Sequence, residues 1–172
     1  ASVFYVLESM NTKVRNRKDL EGMIVPFAGE IPEQPNVEDK QLAVEQDNRN
    51  LINESFRVLR TNVDFILGND SKKVVMVTSM NQGSGKSFIS ANLASCVALR
   101  DKKVVVLDLD LRRATLSKIA DSPKLGLADY FNGKVKNWKE IVTRSEDNEN
   151  LDVLPVGTMP PNPTELLLNK TY

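Results

Sequence analysis

Apolar positions along this chain change their period several times, and each change marks an element. Between 48 and 67, Leu51, Ile52, Val58, Leu59, Val63, Ile66 and Leu67 recur at helical spacing, which predicts a helix. Gly68-Asn69-Asp70 supplies its stop signal. Residues 74–78 then form a short continuous run, V-V-M-V-T, that leads into Gly83-Ser84-Gly85-Lys86-Ser87 and a predicted helix over 87–100. A second run, V-V-V-L-D, occupies 104–108. Continuous apolar strands around a helix predict a parallel βαβ unit buried on both faces.

Further along, 125–131 reads as a short helix ended by Asn132-Gly133, and 138–142 as another, with Trp138 as a packing anchor. Residues 151–156 read as a third strand. After the rigid Pro160-Pro161-Asn162-Pro163 turn, Asn162 stands at N-cap, Pro163 at N1 and Glu165 at N3, the arrangement of a capping box that opens a last helix. Upstream, Pro26, Pro32 and Pro35 make 22–47 an irregular connector, with one short strand at 23–25. Residues 3–7 are apolar, and Lys13, Arg15, Arg17 and Lys18 follow. That start reads either as a frayed strand with a solvated charge run, or as the last turn of a membrane helix with cytoplasmic positive charges behind it. The resulting plan is a juxtamembrane segment over 1–21, a connector over 22–47 and an α/β unit over 48–172. Three parallel strands make a thin sheet, and a capped apolar helix should lead into another strand. The chain is therefore expected to be part of a longer one.

Composition narrows the chemistry. With 172 residues, 41% hydrophobic and 27% charged, the chain has the make-up of a folded domain. Lys+Arg and Asp+Glu both number 23, so the basic footprint of a nucleic-acid binder is missing. The absence of histidine excludes Ser-His-Asp and Cys-His nucleophile systems and HExxH zinc sites. A single cysteine, Cys96, excludes an intrachain disulfide and suits a reducing compartment; it reads as a small core residue. Any metal must then be held by oxygen, which favours Mg²⁺. Tyr5, Tyr130 and Tyr172 are too scattered to form a phosphorylation cluster.

The strand–loop–helix around 74–100 carries the clearest chemistry. A polyphosphate needs many donors and little steric bulk. Gly83 and Gly85 let backbone N–H groups turn inward, and the helix after them aims its positive end at the same place. Lys86 can reach phosphates and the Ser87 hydroxyl can ligate Mg²⁺. The full G-x-x-x-x-G-K-[ST] pattern is not met, because Met80 stands at the first glycine position. The second run ends in Asp108-Leu109-Asp110-Leu111-Arg112-Arg113. In a parallel sheet the C-terminal strand ends share one edge, which places Asp108 beside the loop, where paired carboxylates can serve Mg²⁺ or polarise a hydroxyl. Glu54, Arg57 and Arg60 recur every third residue on one helix face. They read either as an ion pair worth ~0.2–0.5 kcal/mol or as a docking face.

Taken together, the Walker A-type loop over 78–87, the Walker A′ strand V-V-V-L-D-L-D-L-R, the E-x-x-R-x-x-R helix and the segment P-N-P-T-E-L-L at 161–167 resemble the bacterial tyrosine kinases, the Wzc-type autokinases of capsule and exopolysaccharide export. Residues 13–20 and 26–32 resemble the stretch after the second membrane helix of such proteins. The resemblance implies a P-loop fold, ATP and Mg²⁺, and tyrosine autophosphorylation in trans within a ring at the cytoplasmic face of the bacterial inner membrane, beside the polysaccharide export machinery. By it, Gln82, Gly83, Ser84, Gly85, Lys86, Ser87 and Phe88 bind the nucleotide, and Ser87, Asp108 and Asp110 serve Mg²⁺. Lys86, Asp108 and Asp110 carry the catalytic roles, and Glu54, Arg57 and Arg60 form the subunit interface. Gln82 stands where the family often has proline, and neither a Walker B strand nor a tyrosine-rich tail follows the P-N-P segment. That leaves open whether this stretch is active by itself. Two other functions share some of these features: a partition- or septum-site-type ATPase switch, and a non-catalytic module that regulates polysaccharide chain length. The first usually carries a second lysine early in the loop, and none occurs here between Lys73 and Lys86.

Overall fold

In a computed structural model of the chain, the structure describes residues 14, 17–33, 42–68 and 73–168. The first strong helix, α1, runs Leu51–Leu67. Asn50 caps it by accepting from the Asn53 amide at 2.9 Å, and Gly68 ends it in a positive-φ conformation. The second, α2, runs Lys86–Ala98 and starts directly at the glycine loop. A four-residue strand, β1 (Val104–Leu107), follows, then a 3-10 turn (Leu116–Ala120) and a short helix, α3 (Leu127–Phe131). The chain goes on through a second 3-10 turn (Trp138–Ile141), β2 (Thr143–Arg144), β3 (Leu151–Leu154) and α4 (Pro163–Leu168).

The sheet has the order β1-β3-β2. Strand β3 runs parallel to β1, with Val104 opposite Leu151 and Val106 opposite Val153, and antiparallel to β2. The parallel pair thus joins 104–107 to 151–154, whereas the sequence pattern places it between 74–78 and 104–108. Residues 74–78 join no ladder, and Val74 and Met76 are almost fully exposed. A β-prone run becomes a strand only when a neighbour takes up its backbone groups, and β1 pairs with β3 alone. Strand β1 is buried on one face only: Val106 packs against α2 while Val105 and Leu107, on the other face, are half-exposed. Residues 23–25 are likewise exposed and form no strand. Trp138, expected as an anchor, lies on the surface with the Lys139 ammonium 5.9 Å from its ring. The two-residue β2 has too little pattern to be read from sequence. The apolar start at 3–7, the basic residues Lys13 and Arg15, and Tyr5 and Tyr172 lie outside the described residues. Among the described residues, no helix is long and apolar enough to cross a membrane.

Helix α2 is apolar or small all round and is packed accordingly. Ala91, Ala94 and Ala98 meet Val106, Leu116 and Leu151 on the sheet side. Leu93 and Cys96 meet Ile52, Phe56 and Leu59 of α1 on the other. The Phe56 ring, fully buried, meets the Phe88 ring edge-on at 5.7 Å between centroids. The buried Asn92 is well satisfied: its Oδ1 accepts from the Ala43 and Val44 amides at 2.6 and 2.9 Å, and its Nδ2 donates to the Phe88 carbonyl at 2.8 Å. The buried Asn53 of α1 accepts from the Glu45 amide at 2.9 Å and donates to the Ala43 carbonyl at 3.2 Å. Two asparagines therefore hold the extended 43–45 segment against both helices.

A second buried polar group ties α3 to the chain after β3. Asp129 accepts from the amides of Gly126 at 3.1 Å and Thr158 at 3.2 Å, and from Lys134 Nζ at 2.9 Å. Burial pushes its carboxyl up, but the Lys134 bond and the two amides outweigh this and hold it below the usual carboxylate value of 3.8. Asp129→Asn should therefore destabilise the fold by ~2–3 kcal/mol near neutral pH. A depressed carboxyl stabilises above its unfolded value and stops doing so as pH falls through the folded one. The gap between wild type and Asp129→Asn in urea midpoints should thus be constant above about pH 5 and close progressively below 3.8.

Candidate functional site

The glycine loop turns where the sequence requires it. Gly83 has φ +75° and Gly85 has φ +81°, both left-handed, and a Cβ on either would meet open space. Backbone conformation, not crowding, is the demand for glycine there. Gly85 is the N-cap of α2, and its carbonyl accepts from the Ile89 amide at 2.8 Å. No side chain caps this helix and its first turn holds no acid, so the amides of that turn and the positive dipole end face outward. Inside the loop, the Ser79 and Ser84 hydroxyls both donate to the Asn81 carbonyl, at 2.8 and 2.9 Å, and fix the turn.

A cavity of about 300 Å³ opens at this helix end. One wall is Gln82, Gly83, Gly85, Lys86, Ser87 and Phe88; the other is Asp110, Arg112, Arg113 and Thr115 from the exit of β1. Of the residues singled out in the sequence, Gln82, Gly83, Gly85, Lys86, Ser87, Phe88 and Asp110 thus meet at one site. Ser84 belongs to the loop but serves its internal bonding. A wider, more open depression of about 680 Å³, bordered by Lys124, Lys134 and Thr158, lies elsewhere. Its lining, which includes Gly157, shares no residue with the 82–88 loop or the Asp110 turn.

Asp108 has a different position from Asp110. It is 1% exposed and does not line the cavity. Its Oδ2 accepts from both the amide and the hydroxyl of Ser117 at 2.8 Å, and its Oδ1 accepts from the Asp110 amide at 3.2 Å. The Ser117 hydroxyl in turn accepts from the Val156 amide at 2.8 Å. This network joins the exits of β1 and β3 to the 3-10 turn between them. Desolvation raises the Asp108 carboxyl above 3.8, with the neighbouring Asp110 adding to the shift and the Ser117 and Asp110 bonds opposing it. Asp110 caps the next turn, its Oδ1 accepting from the Arg112 and Arg113 amides at 3.3 and 3.2 Å. Those two arginines belong to the cavity wall without having been assigned to it. The signal was present, since they directly follow the second carboxylate on a strand exit that faces the loop.

The arginine helix face is partly used within the molecule. Arg57 pairs with Glu54 and also donates to the carbonyls of Gln46 and Asn48 at 3.3 Å. Arg60 donates to the Cys96 carbonyl at 3.3 Å. Burial raises the Cys96 thiol, with the Arg60 guanidinium opposing the shift, so this cysteine is an inert core residue.

Similarity to known proteins falls on the same residues. Residues 75–164 match the family model described as the CobQ/CobB/MinD/ParA nucleotide binding domain. The chain is 37% identical to the tyrosine-protein kinase YwqD of Bacillus subtilis, over 71% of this chain and 51% of that protein. It is 36% identical to the tyrosine-protein kinase Etk of Escherichia coli K12, over 67% of this chain and 16% of that protein. The chain therefore spans about half, or less, of the curated relatives it matches. Among solved structures, it superposes on the chimerical protein CapA2B2 with a TM-score of 0.72 at 30% identity, covering 90% of this chain and 66% of that one. It superposes on the kinase domain of E. coli Etk with a TM-score of 0.61 at 34% identity, covering 67% and 45%. The family match takes in more than half of the chain, including the loop, α2, β1 and β3. The chain belongs to the CobQ/CobB/MinD/ParA nucleotide-binding domain family, and it is similar to bacterial tyrosine kinases.

Proposed function

We propose that this chain is the nucleotide-binding part of a bacterial protein-tyrosine autokinase that acts in capsular or extracellular polysaccharide synthesis and export. The observation that carries this reading is the cavity at the start of α2, where open loop amides, Lys86 and Ser87 face Asp110 and two arginines. Three cations against one carboxylate suit the phosphates of ATP or ADP. Gly83, Gly85 and the first turn of α2 cradle the phosphates, Lys86 neutralises them, and Phe88 keeps the helix start in place through Phe56.

The donor set also fits Mg²⁺. One hydroxyl, Ser87, and one carboxylate, Asp110, border the cavity, and Mg²⁺ completes such a shell with phosphate oxygens and water. When bound, it neutralises charge on the transferring phosphoryl group. Asp108, buried and bonded to Ser117, holds the Asp110 turn in position against the loop. Buried and outside the cavity, Asp108 acts through that turn and makes no contact with the phosphates.

Self-association is assigned to α1. Besides the Glu54–Arg57 pair, α1 exposes Leu51, Val58 and Phe65, which lie seven residues apart on one stripe. A second copy packed there, repeated around a ring, brings one subunit's tyrosines to another's site. The longer protein is placed at the cytoplasmic face of the bacterial inner membrane, with 1–21 next to the membrane and 22–47 as its connector. The uncovered edge of β1 and the exposed Val74 and Met76 fit a further strand in that protein.

Mg-ADP at a hundred times its Kd should stabilise the chain by about 2.7 kcal/mol, read as a rise in Tm. Lys86→Ala should abolish most of that rise while leaving the unliganded stability within about 0.5 kcal/mol of wild type. Normal folding with no nucleotide-dependent rise would instead favour a non-catalytic assembly module. In the full-length protein, Phe65→Glu combined with Val58→Glu should shift the assembled species to monomer in analytical ultracentrifugation and cut phosphotyrosine formation under Mg-ATP at least ~10-fold. An unchanged assembly would remove α1 from the interface.

A further inference from the structure

The glycine loop and the arginine turn are joined by one exposed bond. Arg113 Nη2 donates to Gln82 Oε1 at 3.0 Å, across the mouth of the cavity that both residues line. The two ends of this bridge differ in how they are held. Arg113 stands on a turn fixed by its neighbours: the Arg112 and Arg113 amides donate to Asp110 Oδ1, and the Ala114 amide donates to the Asp110 carbonyl at 2.9 Å. Leu111 within this turn and Leu116 just after it are buried in two different clusters. Gln82 stands on the exposed loop, whose side-chain bonds stay within 79–84 apart from this one.

The bond pairs a guanidinium with a neutral amide oxygen. A phosphate oxygen is a better partner, because charge-assisted bonds are roughly twice as strong and the guanidinium can grip phosphate through two nitrogens. The cavity already gathers Lys86 and Arg112 with Arg113 against the single carboxylate of Asp110. An anion entering it therefore competes directly with Gln82 for Arg113.

We propose that Arg113 is a phosphate-binding residue of this site, held by Gln82 across the cavity lining and transferred from Gln82 to the phosphate chain of a nucleotide when one binds. The transfer breaks the clasp and frees the loop around Gln82 to close on the ligand. This rests on the nucleotide reading above and adds to it a residue and a local switch.

The test is calorimetric titration of the full chain with Mg-ADP, for wild type, Arg113→Ala, Arg113→Lys, Gln82→Ala and the Arg113→Ala/Gln82→Ala pair. Arg113→Ala should weaken binding about 10-fold or more, and Arg113→Lys should recover part of the loss, since a lysine keeps the charge without the fork. Gln82→Ala should tighten binding about 2-fold to 3-fold by removing the competitor, and that gain should vanish in the double variant. Wild-type affinity in Arg113→Ala overturns the proposal, as does a loss in Gln82→Ala equal to that in Arg113→Ala, which would make the pair a structural clasp only. Should Arg113→Ala lose its unliganded melting transition, Arg113→Lys and Gln82→Ala decide the matter by the same criteria. Failure of the wild-type chain to bind Mg-ADP at all overturns the nucleotide reading and this proposal with it, whereas wild-type binding that Arg113 variants do not change overturns this proposal alone.

Discussion

A helix buried on every side fixes the direction in which its first turn points, and the rest of this molecule follows from that. Helix α2 lies between α1 and the sheet, with alanines against Val106 and Leu151 and with Leu93 and Cys96 against Phe56. Small residues let the backbone approach the sheet closely, and the Phe56–Phe88 contact pins its first turn. Because α2 cannot roll or slide without opening both clusters, its unpaired N-terminal amides are held at one place on the surface. Gly85 in left-handed conformation is what lets the chain enter that place abruptly.

Across from this fixed end, the exit of β1 is held by a separate network. Asp108 is spent on Ser117 and on the Asp110 amide, and Ser117 reaches Val156. A buried carboxylate with satisfied bonds makes a rigid bracket and a costly one to disturb. Its effect is to set the turn that carries Asp110, Arg112 and Arg113 against the loop. The two carboxylates, so similar in the sequence, divide into one that builds the site and one that borders it.

The parts legible from sequence were those with a local cause. Helix α1, the glycine loop with α2, the third strand and the existence of α4 were all signalled by period, glycine placement or turn residues. The convergence of Lys86, Ser87 and Asp110 followed from the rule that strand ends and helix starts share an edge. What the pattern could not give was partnership. Residues 74–78 have the composition of a buried strand, yet whether they become one depends on a neighbour that composition does not name. The inward turn of Asp108 depends on Ser117, nine residues on, whose hydroxyl has no sequence signature. The place of Arg113 at the strand exit was legible, but its side-chain partner Gln82, 31 residues away, was not.

The central claim is that the amides of 83–87 form an anion cradle. Amide hydrogen exchange, followed residue by residue with and without Mg-ADP, tests it directly. The account predicts added protection concentrated in the loop 82–88 and at the 110–113 turn. Protection absent from both, or confined to the wider depression bordered by Lys124 and Lys134, would contradict it.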